Sequence, residues 1–234
     1  MSIPLPVLQI FELSKSYVRG PEQVHALLGA SLTIPPGELL ALVGPSGSGK
    51  TTLLNLLCGW EEPDSGRFAW LGIDAMSSPR DLTWDQVAIV PQSLGLLEEL
   101  TIRENIELPD RLSEQPSEPR APRVEHLIAD LGLIELADRL PAEVSLGEQQ
   151  RASLARALVL SPTLLLADEP TGHQDSVWAR GVMRALRNAC SEGTACLVAT
   201  HNPEVLRYVD RILGIRDGRL GDLRTADAMR TTSS

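Results

Sequence analysis

Lysine is almost missing from this chain. Of 21 basic residues only Lys15 and Lys50 are lysine, and the other 19 are arginine. Basic charge is itself outweighed: 31 acidic residues give a formal net charge of −10. A chain of that sign has no global field to recruit nucleic acid or acidic lipid, so no nucleic-acid partner is expected. Cysteine is scarce as well. Cys58, Cys190 and Cys196 are odd in number and lack metal-ligand spacing, which fits a reduced, cytosolic compartment and buried thiols; only Cys190 and Cys196 could pair in principle. No apolar run is long enough for a membrane span. The stretch Ala157 to Ala167 is cut by Ser161-Pro162, far short of the ~20 residues a spanning helix needs. Residues 1–10 have no basic region and are broken by Pro4 and Pro6, unlike a signal peptide. Any membrane role therefore needs a partner. Internal repeats are missing, and so is the Asn-Lys-x-Asp element with which a GTPase reads guanine.

What is present centres on Gly44 to Thr52, GPSGSGKTT: Gly44, Pro45, Ser46, Gly47, Ser48, Gly49, Lys50, Thr51 and Thr52. It follows the apolar run Leu39–Val43 and precedes Leu53–Leu57, a strand–turn–helix context. Gly44, Gly49, Lys50 and Thr51 meet the phosphate-loop pattern. Glycines let backbone N–H groups close on a polyphosphate because no Cβ blocks the approach. The helix N-terminus adds unpaired donors and partial positive charge. Lys50 is suited to the β/γ-phosphates and the Thr51 hydroxyl to Mg²⁺. One of the two lysines stands in this loop, where a compact ammonium fits better than an arginine fork.

The 234 residues, 43% hydrophobic, suffice for a full core. Residues 7–18 alternate apolar and polar side chains and read as an edge strand, and 24–34 as a second strand region. Arg67–Leu71 and Val87–Val90 are short strands. From Ser93 to about Leu140 the texture turns acidic and proline-rich, with a helical pattern at Val124, Leu127, Ile128 and Leu131 and a further helix expected over 133–140. Helices are expected over 149–160, 177–189 and 203–209. Thr163–Ala167 and Ala195–Thr200 are continuous apolar runs, the mark of strands buried on both faces of a parallel sheet. Arg211–Leu220 reads as a hairpin around Asp217-Gly218. The expected fold is α/β: a phosphate-loop core with a mainly parallel sheet, an N-terminal antiparallel β region and an inserted helical subdomain. One domain is expected over 1–234, with its core at about 1–92 and 162–223, the helical subdomain at 93–161 and a polar tail at 224–234.

In such sheets ligands bind at the carboxyl ends of the strands. Gly44, Gln92, Asp168 and His201 all stand just after expected strands. Asp168 and Glu169 follow the apolar run Leu164–Ala167 and would place two carboxylates in one site. Asp168 suits the metal opposite Thr51, and Glu169 suits the attacking water.

Together these motifs resemble the ATP-binding subunits of ABC transporters, over about residues 7–220. Gly44–Thr52 resembles their Walker A motif, Leu164–Glu169 the Walker B motif with its catalytic glutamate, Gln92 the Q-loop, and Gly172–Asp175 the D-loop. His201 resembles the switch histidine, and Tyr17 the aromatic that stacks on adenine. Val144–Gln150 with Arg151 resembles the family signature. The resemblance implies ATP and Mg²⁺ as cofactors: Thr51, Gln92 and Asp168 toward the metal; Glu169, His201, Lys50 and Gln92 in catalysis. Ser145, Gly147, Glu148 and Asp175 would contact nucleotide across a dimer. It also implies a separate transmembrane permease, a homodimer or heterodimer of ATP-binding subunits, and a peripheral place on the inner face of the cell membrane. Details of the loop and of Glu-Pro-Thr-Gly look most like the lipoprotein-release and macrolide-export group.

Two positions depart from the family pattern. Leu146 stands where the first signature glycine is usual, and a Cβ there is expected to restrict the backbone. His173-Gln174 replaces the usual Asn-Leu or Ala-Leu before Asp175. A degenerate subunit of a heterodimeric ATPase is therefore one alternative, and a soluble or regulatory ATPase of the same fold is another.

Overall fold

The computed structural model describes residues 5–71, 73–76, 79–113, 121–172 and 174–223. The expectations for His173, for the proline-rich stretch before Ala121 and for the tail 224–234 lie outside these residues.

Two sheets organise the chain. The larger has six strands: β3 (Leu39–Val43), β6 (Val87–Val90), β7 (Leu164–Asp168), β8 (Ala195–Ala199), β9 (Arg211–Arg216) and β10 (Arg219–Leu223), in the order β10-β9-β3-β8-β7-β6. Only the β9–β10 hairpin is antiparallel. The expected parallel core and the terminal hairpin are both there. The smaller sheet is antiparallel, in the order β2-β1-β4-β5, from β1 (Leu8–Arg19), β2 (Glu22–Ile34), β4 (Ser65–Trp70) and β5 (Ile73–Met76). β1 is thus not an edge strand as its alternation suggested. It is paired on both sides, with β2 and with β4. Alternation reports one buried face and is silent about neighbours in the hydrogen-bonding direction.

Strand β7 explains the continuous apolar runs. Leu164 and Leu166 pack into one core with β1, β2 and α1 (Lys50–Leu57), while Leu165 and Ala167 pack into another with the helices. All four are buried. Each leucine so removed from water contributes roughly 1.5–3 kcal/mol before entropic costs.

The helical part differs in detail from expectation. Helix α2 (Ile102–Leu112) lies in the stretch expected to be acidic and proline-rich; Thr101 and Glu104 cap it reciprocally, a Thr-x-x-Glu signal present in the sequence. Helix α3 (Ala121–Asp130) buries Val124, Leu127 and Ile128 as their spacing requires. Residues 133–140 hold only a single 3-10 turn, Ile134–Leu136, because Gly132 with φ +64 and the buried Leu133 break the run. Helix α4 spans Leu146–Leu158, starting three residues earlier than expected. Helix α5 (Ser176–Ser191) leads into β8, and the expected helix at 203–209 shrinks to a 3-10 turn, Val205–Arg207. Cys190 and Cys196 are buried free thiols. Among the described residues no helix is long and apolar enough to cross a membrane.

Candidate functional site

β3, β8, β7 and β6 are adjacent and parallel, so their carboxyl ends form one edge. The residues that follow them are Gly44, His201, Glu169 and Gln92, with Asp168 the last residue of β7. Topology alone brings the expected residues together.

The loop Gly44–Gly49 presses back on the protein. A Cβ on Gly44 would sit 2.3 Å from the carbonyl oxygen of Ile215, and one on Gly49 would sit 2.3 Å from that of Ala26. These two are glycine because the loop lies against β9 and β2, which corrects the reading that all three glycines clear room for phosphate. Gly47, with φ +76 and open space around it, keeps that reading. Pro45 and Ser46 are exposed beside it, while the Ser48 hydroxyl is buried without a hydrogen-bond partner among the described residues. Lys50 opens α1 and its Nζ donates to the carbonyls of Gly44 (2.8 Å) and Pro45 (3.1 Å), closing the loop into a ring.

Thr51 Oγ1 donates to Asp168 Oδ2 at 2.8 Å. Asp168 is 5% exposed. Burial pushes its carboxyl above the usual aspartate range, and the neighbouring Glu169 charge adds to this against the Thr51 bond and Lys50. Together with Gln92, Asn55 and Trp60, this pair lines a cleft of about 400 Å³.

Glu169 points elsewhere. Its φ of +52 is left-handed, a strained state for a side chain with a Cβ, and neighbours on several elements hold it. Its N–H donates to Ala199 O (2.9 Å), and its own carbonyl accepts from Gly172 N (3.0 Å) and from Gln150 Nε2 (2.6 Å). Its carboxylate accepts from Thr200 Oγ1 (3.3 Å) and His201 N (3.4 Å) and meets His201 Nδ1 at 2.7 Å. Two adjacent carboxylates therefore diverge, one to the loop threonine and one to the histidine.

Tyr17 lies on β1 with its hydroxyl donating to the Glu61 carboxylate and lying 3.5 Å from Thr52 Oγ1. Glu61 also accepts from Asn55 Nδ2 at 2.8 Å. Burial, then Glu61, pushes the phenol up from its ordinary value. These contacts fasten β1 to α1 and hold the ring in place.

The signature residues do not line the cleft. Ser145 is the N-cap of α4, locked with Glu148: its N–H and hydroxyl donate to Glu148 Oε2 at 2.7 and 2.8 Å. Those bonds, the backbone one first, hold the Glu148 carboxyl below the usual glutamate range. Leu146 opens a regular helix at negative φ, which leucine adopts without strain, so the expected backbone restriction is not found. Its side chain is 47% exposed. Asp175 is the N-cap of α5, accepting from Val177 N and Trp178 N at 2.9 Å each. Gln150 and Arg151 stand in the expected signature and Gln174 in the expected D-loop, and the three link α4 to the Glu169 loop, a contact the spacing does not indicate. Gln150 and Arg151 are nearly fully buried, and burial of polar side chains on a helix is not visible in a one-dimensional pattern.

A glycine-rich ring between strand and helix, with a hydroxyl–carboxylate pair below it at the edge of a parallel sheet, defines a phosphate-loop nucleotide-binding protein. The sequence model of the ABC transporter family matches residues 27–172. The lipoprotein-releasing system ATP-binding protein LolD 1 of Rhodospirillum rubrum is 40% identical over 223 residues, covering 93% of this chain and 99% of that protein. The macrolide export ATP-binding/permease protein MacB of Azoarcus sp. is 40% identical over 219 residues, 92% of this chain and 33% of that protein. This chain therefore spans about a third of the length of that MacB protein. The dimeric structure of the ATP-binding cassette MJ0796 in a post-hydrolysis state, bound to ADP and Pi, superposes with a TM-score of 0.83 at 30% identity, covering 93% of this chain and 99% of that one. The chain belongs to the ABC transporter family, as an ATP-binding cassette.

Proposed function

We propose that this chain is the Mg²⁺-dependent ATPase of an export-type membrane transporter, working as a dimer beside a separate permease on the cytoplasmic face. The observation that carries the reading is the convergence of Lys50, Thr51, Asp168, Glu169 and His201 at one sheet edge, with Thr51–Asp168 at 2.8 Å and Glu169–His201 at 2.7 Å. The triphosphate is taken by the Gly44–Thr52 loop, where Lys50 exchanges loop carbonyls for phosphate oxygens. Tyr17 offers its ring to adenine, a contact that gives affinity with little base selectivity. Glu169 accepts a proton from the attacking water, and His201, bonded to that carboxylate, orients it.

The donor set suits Mg²⁺: one hydroxyl and one carboxylate in contact, with the Gln92 amide on the wall of the same cleft, all hard oxygen ligands. Among the described residues no group of three or more His, Cys, Asp or Glu side chains forms a dedicated metal cage. When bound, Mg²⁺ neutralises charge on the phosphates.

ATP does work only if it binds the closed dimer better than the open one. Across the dimer, Ser145, Gly147, Glu148 and Asp175 of one subunit face the nucleotide of the other. Leu146 sits in unstrained helix, which leaves a homodimer workable. The permease docks in a groove of about 530 Å³ next to Gln92, between the core and the helical part, lined by Trp60, Trp84, Arg80 and Leu97. Trp60 and Trp84 are each more than half exposed there. The names of the relatives, macrolide export and lipoprotein release, favour outward transport.

Phosphate release by the purified chain, with Mg²⁺ or with EDTA, tests the chemistry. Turnover only with Mg²⁺ is expected; metal-independent turnover overturns the metal assignment, and absent turnover overturns the ATPase reading. Trp84→Glu tests the docking: it should leave phosphate release in solution intact but abolish co-sedimentation with membranes containing the permease. Undiminished co-sedimentation would refute the groove.

A further inference from the structure

We propose that Gln174 is a positioning residue for Glu169, acting through Gln150 by tying the first turn of α4 to the loop that carries the carboxylate. The inference rests on the ATPase reading above.

Three groups converge on one amide. Gln174 Nε2 donates to the carbonyl of Gly147 at 2.7 Å and to Gln150 Oε1 at 3.3 Å, and Gln174 Oε1 accepts from Arg151 at 3.1 Å. All three partners belong to the first two turns of α4. Gln150 then donates through Nε2 to the carbonyl of Glu169 at 2.6 Å. A relay thus runs from Gln174 to Gln150 to the peptide of Glu169, whose carboxylate meets His201 at its far end. Glu169 is in a left-handed state, so its aim depends on what holds its peptide plane. The only side chain donating to that carbonyl among the described residues is Gln150.

The anchor is rigid on the other side. Arg151 is 4% exposed, its Nε donates to Leu131 O at 2.8 Å, and its guanidinium stacks 4.0 Å above the Trp178 ring. Trp178 lies over Gly132, where a Cβ would come within 2.0 Å of the indole. Burial lowers the Arg151 pKa from its ordinary value, against the pull of the nearby Glu148 and Asp175 charges. A glutamine alone among residues of its length supplies both the donor for Gly147 O and the acceptor for Arg151. Leucine or methionine supplies neither, and glutamate supplies only the acceptor. The substitution that stood out in the sequence before Asp175 therefore has a structural use at the position of the departing signature.

The test compares Gln174→Met, Gln174→Glu and wild type in three measurements. Phosphate release is expected to fall about 3- to 30-fold in kcat for Gln174→Met, less than the ~10²-fold a 1 Å misplacement can cost, because the bonds of the Glu169 carboxylate to Thr200 and His201 remain. The affinity for ATP should change less than about 2-fold, because Gln174 touches nothing in the Gly44–Thr52 loop. Gln174→Glu should keep the fold but recover no more than part of kcat, as it cannot donate to Gly147 O. Amide hydrogen exchange in the ligand-free chain should rise over residues 146–151 and 169–172 in Gln174→Met, and this readout does not depend on ATP hydrolysis. Unchanged kcat, or unchanged exchange in those segments, overturns the proposal. A wild-type chain that binds no ATP while exchange still rises in Gln174→Met overturns the ATPase reading, and with it the positioning role, but keeps the tie itself.

Discussion

Glu169→Gln separates binding from chemistry. The glutamate side chain is 16% exposed and bonded to Thr200, to the His201 N–H and to the His201 ring. A glutamine of the same shape can keep the first two bonds through its carbonyl and turn its amide N–H toward Nδ1. The fold and the left-handed backbone at this residue are therefore retained. What is lost is a base for the attacking water, an effect of about 10²–10⁴-fold, or roughly 3–5 kcal/mol at ~1.4 kcal/mol per tenfold. The variant should bind ATP as wild type does, with kcat down at least about 100-fold. Phosphate release gives the rate, and titration with a fluorescent ATP analogue gives the affinity. Retention of more than about a tenth of wild-type kcat would refute the assignment of Glu169 as base.

Asp168→Asn should raise the melting temperature of the nucleotide-free chain at pH 7.5 while weakening Mg²⁺-dependent turnover. Burial raises the native carboxyl pKa, so the folded state holds a proton more tightly than the unfolded one. The cost of the charge thus appears as pH rises from the ordinary value near 3.8, and the gain from asparagine should shrink as pH falls toward that value. Gly49→Ala should destabilise by about 2 kcal/mol or more through the clash with Ala26 O and the φ of +108, measured by urea denaturation. Leu146→Gly should destabilise α4 by about 0.5–1 kcal/mol without the rescue of turnover a strained signature would show; a large rise in phosphate release would contradict the helical geometry seen at this residue.

The sheet was legible because its strands are buried on both faces. Leu39–Val43, Leu164–Ala167 and Ala195–Ala199 announce themselves as apolar runs, and the residues that end them carry the chemistry. Cap signals were present but partly unread: Thr101 with Glu104 and Ser145 with Glu148 mark the starts of α2 and α4. Pro109 inside α2 hid that helix, since an internal proline reads as a break. The flanking of β1 by β4 was not legible because strand neighbours are set by non-local pairing. The pairing of Glu169 with His201 and its hold through Gln150 to Gln174 depend on side chains from three elements, which spacing along the chain does not encode. The role of Gly44 and Gly49 was legible in residue type but not in cause, for the atoms they avoid belong to β2 and β9.

ATP binding by the purified chain, wild type beside Lys50→Ala, can be measured by isothermal titration calorimetry. Lys50 closes the loop ring through Gly44 and Pro45 and is its only cationic side chain. One ATP per chain, with affinity falling at least about tenfold in Lys50→Ala, is the predicted result. No binding by wild type, or equal binding by both, would contradict the claim that this loop holds the triphosphate.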